Sequence, residues 1–258
     1  MRVASSGLAT DLVLAGWAGE VVDRGDHLVV RTPDEPDYWS GNAVVVGAAA
    51  PDLARWEAWF AAAHPSARHR TVLVDGEVAP AVAAAAAAAG YDVARLIALT
   101  ATSLAPVAAP AGIALRPLTG DDDWAALHAF TLANDALAGP IDDRHRRFVT
   151  DRQRQKRAWI EAGRGAWWGG FDGERLVAAL GLVDAGGLGR YQDVNTDPAY
   201  RRRGIAGALL ATAGRAALDR GVRGLVIVAV AEADADRLYR RIGFAPETVA
   251  TELMRRPR

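Results

Sequence analysis

One stretch constrains this chain more than any other: Gln192–Leu210, QDVNTDPAYRRRGIAGALL. Gln192–Thr196 reads as a strand, and Asp197 and Pro198 punctuate a turn. Arg201-Arg202-Arg203-Gly204-Ile205-Ala206 follows, and then an Ala/Leu-rich helix that meets no breaker until Gly214. The first amides of a helix have no internal acceptor, and the helix dipole there favours negative charge. Gly204 lacks a β-carbon, so an anion can approach the main chain closely. The turn is expected to hold a pyrophosphate.

The rest of the chain predicts an α/β fold around that turn. In the first half, Leu28–Arg31, Asn42–Gly47, Thr71–Val74 and Asp92–Ala101 read as strands, with a Pro/Asp-rich turn at Pro33–Asp37. Between them lie two helices. Pro51–Ala63 places Leu53, Trp56 and Phe60 at helical spacing, and Ala79–Ala89 is helical on alanine propensity alone. The charge-free, proline-bearing APVAAPAG (Ala105–Gly112) reads as an interdomain linker, giving domains over 1–104 and 113–258. In the second half, strand Ile113–Leu118 precedes a helix running to Leu137 and capped by Thr119 or Asp121. The long helix Asp142–Glu161 comes next, then strands at Ala166–Phe171, Leu176–Val183 and Arg190–Thr196. After the glycine turn come helix Ile205–Arg220, strand Leu225–Val230, helix Ala233–Ile242 and a last strand from Phe244. Gly7–Val30 gives little signal beyond Leu28. The acidic triplet Asp121-Asp122-Asp123 reads as complementing a helix dipole, or as an acceptor site. The arginine-rich face of Asp142–Glu161 reads as solvated.

Composition narrows the chemistry. The net charge is −1 over 258 residues, which gives no case for nucleic acid or an anionic membrane surface as partner. The amino-terminal stretch has no long apolar run, so neither a signal peptide nor a spanning helix is expected and the location is taken as cytoplasmic. The absence of cysteine excludes disulfides, thiolate metal sites and a cysteine nucleophile. No metal is expected.

RRRGIA (Arg201–Ala206) resembles the Arg/Gln-x-x-Gly-x-Gly/Ala signature of the GCN5-related N-acetyltransferase (GNAT) family. LYRRIGF (Leu238–Phe244) is similar to that family's second signature, a tyrosine four residues before a glycine–aromatic pair. The likeness spans Ile113 to the end. It implies the GNAT fold, a mixed and mostly antiparallel sheet with flanking helices, in two similar domains. It also implies acetyl-CoA as cosubstrate, with the pyrophosphate on the amides of Arg202, Arg203, Gly204, Ile205, Ala206 and Gly207 and with Arg201 opening the motif. Val194, Asn195 and Thr196 would pair with the pantetheine arm where two strands splay, and a main-chain N–H near Val194 would stabilise the oxyanion as an amine attacks.

By the same resemblance Tyr239 is the general acid for the departing thiolate. A thiol near pKa 8.5 and a phenol near 10 differ by about 1.5 units, roughly 2 kcal/mol uphill in water, so the transfer requires a dry site. Asp193, acting through water, is the favoured base, and by alternation it faces the side of Tyr191 and Asn195. Glu232 is the other candidate, unless both merely orient backbone or solvent. An α-amine costs only about 1–1.5 kcal/mol to deprotonate at pH 7, against about 4–5 for a lysine-like amine, which favours a small-molecule acceptor. A protein acetyltransferase and a non-catalytic acyl-CoA sensor stay open, as does the choice of monomer or homodimer.

The first half lines up with the second as a worn copy. Asn42–Gly47, Pro51–Ala63 and Thr71–Gly76 follow one another as strand, helix and strand do around the phosphate turn. Yet Ala48–Asp52 has no arginine-x-x-glycine pattern, and Ala86 stands where the tyrosine would.

Overall fold

The computed structural model describes residues 1–36, 38–49 and 51–257. The predicted turns at Pro33–Asp37 and Ala48–Asp52 each include one residue, Asp37 and Ala50, that lies outside the described residues. Two compact units emerge. The first comprises Met1–Leu99, Val228–Arg237 and Pro246–Arg258; the second comprises Thr100–Ile227 and Leu238–Ala245.

The first unit opens with a helix that sequence reasoning missed, α1 (Ser6–Ala18), whose N-cap Ser5 accepts from the Leu8 amide. Its apolar residues are spread around the axis, so no amphipathic stripe announces it, although the Ser5 cap and the stop at Gly19 were legible. Strands β1 (Glu20–Asp23), β2 (His27–Arg31) and β3 (Ala43–Gly47) form an antiparallel meander. The valine runs of β2 and β3 are almost wholly inaccessible, as expected of a strand covered on both faces. Helix α2 (Leu53–Ala63), capped by Asp52, buries Trp56 and Phe60 one turn apart and returns the chain to β4 (Arg70–Asp75), parallel to β3. Then follow α3 (Pro80–Ala88), with proline in its first turn, and β5, which starts at Asp92 and runs to Ala101.

In the second unit, β6 (Ile113–Pro117) precedes α4 (Gly120–Asp135) and α5 (Asp143–Glu161), the latter capped by Asp142. Strands β7 (Gly165–Asp172), β8 (Arg175–Asp184) and β9 (Leu188–Thr196) make an antiparallel meander against β6. Helix α6 (Ile205–Asp219) connects β9 to β10 (Gly224–Val230), parallel to β9, and α7 (Asp234–Arg241) follows. The two halves of the chain thus repeat one order, meander, helix, parallel strand, helix, although Val228–Arg237, the end of β10 and the start of α7, belong to the first unit.

The last strand departs from the sequence reading. β11 (Ala245–Arg255) follows α7, yet it runs antiparallel to β4, with Thr251 opposite Val74 and Arg255 opposite Arg70. Its place is in the first unit, between β4 and β5, with Leu253 fully buried. A cut at 105–112 therefore separates this strand from the sheet that holds it. The segment 105–112 itself forms neither helix nor strand. No helix among the described residues is long and apolar enough to cross a membrane.

Candidate active site

The site of the second unit is made by a fault in its sheet. β9 pairs with β10 only over Leu188–Arg190, although β9 continues to Thr196. Its edge from Tyr191 onward is released from that partner. On its other side, β9 shifts register against β8: Ala179 faces Asn195 while Gly181 faces Gln192. One extra residue is thereby inserted at Asp193–Val194, a β-bulge. Asp193 takes φ of +47°, a left-handed conformation that costs most residues about 1–2 kcal/mol but that aspartate visits more readily. This corrects the alternation expected from sequence. Tyr191 is buried at 2 % exposure, whereas the Asp193 side chain keeps 46 % of its surface open, because the bulge re-aims it.

The bulge turns Asp193 onto α5, where Lys156 Nζ lies 2.5 Å from its carboxylate. Burial pushes the carboxyl up, but Lys156 with Arg152 and Arg190 outweighs it and holds the group below its ordinary value. Val149, Arg152, Lys156 and Trp159 follow one another on α5 at spacings of three and four, which places them on one face. Val149, Arg152 and Trp159 are buried and the Lys156 side chain is 17 % exposed. Only part of the basic helix is thus a solvated face: Arg144, Arg146, Arg147 and Arg154 are exposed, but Arg152 and Lys156 turn inward. The apolar anchors Val149 and Trp159 at heptad positions were the available signal.

The glycine turn lies after β9. Asp197 caps it by accepting from the Ala199 amide at 2.9 Å, and Arg175 lies 2.7 Å from the same carboxylate. Arg201 Nε donates to the Thr196 carbonyl at 3.1 Å, tying the first arginine back to the strand end. Arg203 stacks on Tyr200 at 4.8 Å. Arg202 and Gly204 both have positive φ, +61° and +81°, and Gly204 is the N-cap of α6. A β-carbon on Gly204 would meet no atom within 4 Å: glycine is there for backbone conformation and for the open space before the amides. With the helix-start amides of Ile205, Ala206 and Gly207 lacking intrahelical acceptors, the turn has the room and donors that a pyrophosphate requires.

Tyr239 and Tyr191 settle differently around one ring. Phe244 packs 5.7 Å from Tyr191 and 6.3 Å from Tyr239, and both tyrosines are at most 5 % exposed. The Tyr191 hydroxyl donates to the Leu210 carbonyl at 2.8 Å. Among the described residues, nothing hydrogen-bonds the Tyr239 hydroxyl. Burial pushes the Tyr239 phenol up to about 12, opposed by the positive charge of Arg190. The hydroxyl is therefore protonated throughout the neutral range. Glu232, the second candidate base, is exposed in a left-handed turn at φ +64°. Its amide donates to Asp236 and its carbonyl accepts from Arg237, a capping role.

The acidic triplet divides. Asp123 takes a two-pronged contact from Arg116, at 2.5 and 2.8 Å, which holds its carboxyl down at about 2, and Asp121 pairs with Arg157 at 2.7 Å. No group of three or more His, Asp or Glu placed to hold a metal occurs among the described residues.

Residues 132–244 match the model of the Acetyltransferase (GNAT) family, and the chain carries a GNAT-family domain. The fold is similar to that of a conserved protein from Staphylococcus epidermidis described as functionally unknown, at 10 % identity and TM-score 0.72 over 93 % of this chain and 95 % of that one. It is also similar to a GCN5-related N-acetyltransferase from Kribbella flavida, at 19 % identity and TM-score 0.63 over 97 % and 96 %. A tandem GNAT protein from the clavulanic acid biosynthesis pathway matches at 17 % identity and TM-score 0.52, over 77 % of this chain and 68 % of that one. No curated protein matches the sequence.

Proposed function

We propose that this chain transfers acetyl from acetyl-CoA to an amine on a small molecule, with Tyr239 as general acid. The observation that carries the reading is the partnerless, protonated Tyr239 hydroxyl, in a unit whose β9 has lost its parallel partner beside a bulge. The turn at Arg202–Gly207 binds the pyrophosphate through main-chain amides. The freed edge of Val194, Asn195 and Thr196 supplies donors and acceptors to the pantetheine arm, and the bulge amide near Val194 stabilises the developing oxyanion. The neutral amine forms its bond to the carbonyl carbon, the C–S bond breaks and the thiolate takes the Tyr239 proton, while the proton the nitrogen sheds passes through water to Asp193 and on to solvent, from which the Tyr239 phenolate is reprotonated.

Against a thiol near 8.5, a phenol at about 12 is mismatched by about 3.5 units, roughly 5 kcal/mol. Desolvation raises the thiol by the same physics, so in one dry site the gap shrinks back toward that of the free groups. Asp193 is a weak base while Lys156 holds its charge, which favours an acceptor that needs little deprotonation, such as an α-amine. The same weakness favours the runner-up, a non-catalytic acyl-CoA sensor.

We further propose that the first unit is an acetyltransferase-like copy without cofactor turn or acid. Its β2–β3 pairing shows no register shift, and Ala86, on the helix corresponding to α7, is fully buried. Thiol release from acetyl-CoA over an amine panel, together with CoA binding by calorimetry, tests the main reading. Tight binding without turnover on any amine would favour the sensor.

A further inference from the structure

The bulge in β9 leaves open a choice that its own strand does not make. Ala179 faces Asn195 and Gly181 faces Gln192, so Leu180 alone stands opposite both Asp193 and Val194. Pairing on either side fixes that one residue of β9 is surplus. It does not fix where the surplus side chain points. A bulged residue has left the ladder, so whatever anchors it comes from outside the strand.

The anchor is on α5. Lys156, the single lysine of the chain, lies 2.5 Å from the Asp193 carboxylate, with its side chain 17 % exposed. Its ammonium also lies over the Trp167 ring at 5.4 Å. Trp167 is 1 % exposed and pairs with Gly181, where a β-carbon would come within 2.4–2.7 Å of the indole. The ring thus rests on the β8 residue that flanks the bulge, and only glycine there leaves it room. Beside it, 6.4 Å away, stands Trp124 of α4, whose carbonyl accepts from Gln153 of α5 at 2.5 Å. A lysine–carboxylate pair in water does little, because both chains must be immobilised and solvent screens them. Here the indole limits where the lysine can go, and its burial reduces the screening. The pair is a strut from helix to bulge.

Building on the acetyl-transfer reading, we propose that Lys156 is a positioning residue for that reaction: braced on Trp167, it holds the Asp193 carboxylate and, through it, the bulge whose Val194 amide meets the oxyanion. The peptide that carries the Val194 amide begins at Asp193, so the left-handed φ of +47° there and the direction of that amide go together. Without the strut, Asp193 relaxes toward the extended conformation that most residues prefer, and both the base and the amide lose their aim.

The test uses the full-length protein, with thiol release at saturating acetyl-CoA and calorimetric CoA binding. Lys156→Met keeps an apolar stem against Trp167 and removes the charge. Its kcat should fall roughly 10- to 100-fold, as when a reacting group is misplaced by about an ångström, with CoA affinity at the wild-type value. Lys156→Arg should restore part of the loss. Asp193→Gly removes the carboxylate while glycine adopts a positive φ freely; on that background Lys156→Met should change kcat by less than about twofold, since the lysine acts through the carboxylate. Lys156 lowers the Asp193 carboxyl, so its removal strengthens the base. A kcat at or above wild type in Lys156→Met therefore overturns the inference, and so does a full second loss on the Asp193→Gly background. The three-bond amide coupling of residue 193, which reports φ, needs no turnover: it should move toward its extended value in Lys156→Met and return in Lys156→Arg, and an unchanged value in the folded variant overturns the strut. Absence of turnover by the wild-type protein on every amine overturns the acetyl-transfer reading, and the catalytic role of Lys156 falls with it.

Discussion

Replacing Tyr239 with phenylalanine separates chemistry from folding in a way the surroundings make quantitative. The ring is 5 % exposed and packs on Phe244, contacts that phenylalanine keeps. The hydroxyl has no hydrogen-bond partner among the described residues, so its removal leaves nothing buried unsatisfied and stability should change by less than about 0.5 kcal/mol. The chemical step loses its proton donor. General acid catalysis contributes roughly 10²–10⁴-fold, about 2.7–5.5 kcal/mol of barrier, so kcat should fall by that factor while CoA affinity and Tm stay put. Tyr191→Phe is the internal control, since it strands the Leu210 carbonyl and should cost about 1–3 kcal/mol of stability with a far smaller loss of kcat. The assay is thiol release at saturating acetyl-CoA, with calorimetric CoA binding and thermal melts alongside. If Tyr239→Phe turns over at the wild-type rate, the acid assignment is refuted; if its Tm drops as far as that of Tyr191→Phe, the separation of roles is wrong. The phenol also makes a pH statement. Its folded value, about 12, lies above the unfolded value near 10. The stability it contributes is therefore complete below pH 10 and lost as pH rises toward 12, and its proton is available throughout the neutral range.

Gly204→Val should leave the fold largely intact, at about 1–2 kcal/mol for an L-residue at φ +81°, yet remove measurable CoA binding; wild-type affinity in calorimetry would defeat the phosphate role of the turn. His64, 8 % exposed beside Phe60, is pushed down to about 4 by burial. Because its folded value lies below the unfolded 6.5, its contribution is complete above pH 6.5 and lost as pH falls toward 4, about 3 kcal/mol in all. Urea titrations of wild type and His64→Phe across that range should diverge, and parallel curves would contradict the assignment. A fragment starting at Ile113 keeps β11 but loses β4, exposing the buried Leu253 and the edge from Thr251 to Arg255; it should aggregate or lose activity, and a soluble, monomeric, fully active fragment would refute the dependence of β11 on the first unit.

The glycine turn and the tyrosine register were legible in the sequence because their physics is local. A left-handed residue at a helix start demands glycine whatever surrounds it, and Tyr239 precedes Gly243-Phe244 by a fixed number of residues. The helices with caps and stripes, α2 and α5, were legible for the same reason. Sequence could not show that Asp193 bulges out of its strand, since a bulge is a mismatch with β8 and exists only once the strands pair. Nor could it show that two cations of a basic helix turn inward, or that one of them, Lys156, meets that bulge. Tyr191 and Tyr239 look alike as letters; the Leu210 carbonyl, supplied by a helix nineteen residues on, leaves only one of them free to give up a proton. The last strand, read as part of the second half, joins β4 instead, because a strand bonds to whichever backbone the tertiary structure places beside it. The sequence by itself thus determined the glycine turn, the place of the candidate acid Tyr239 and the order of the elements from β2 onward. The tertiary structure decided which groups those elements meet, because pairing register and charge compensation are set between segments far apart in the chain.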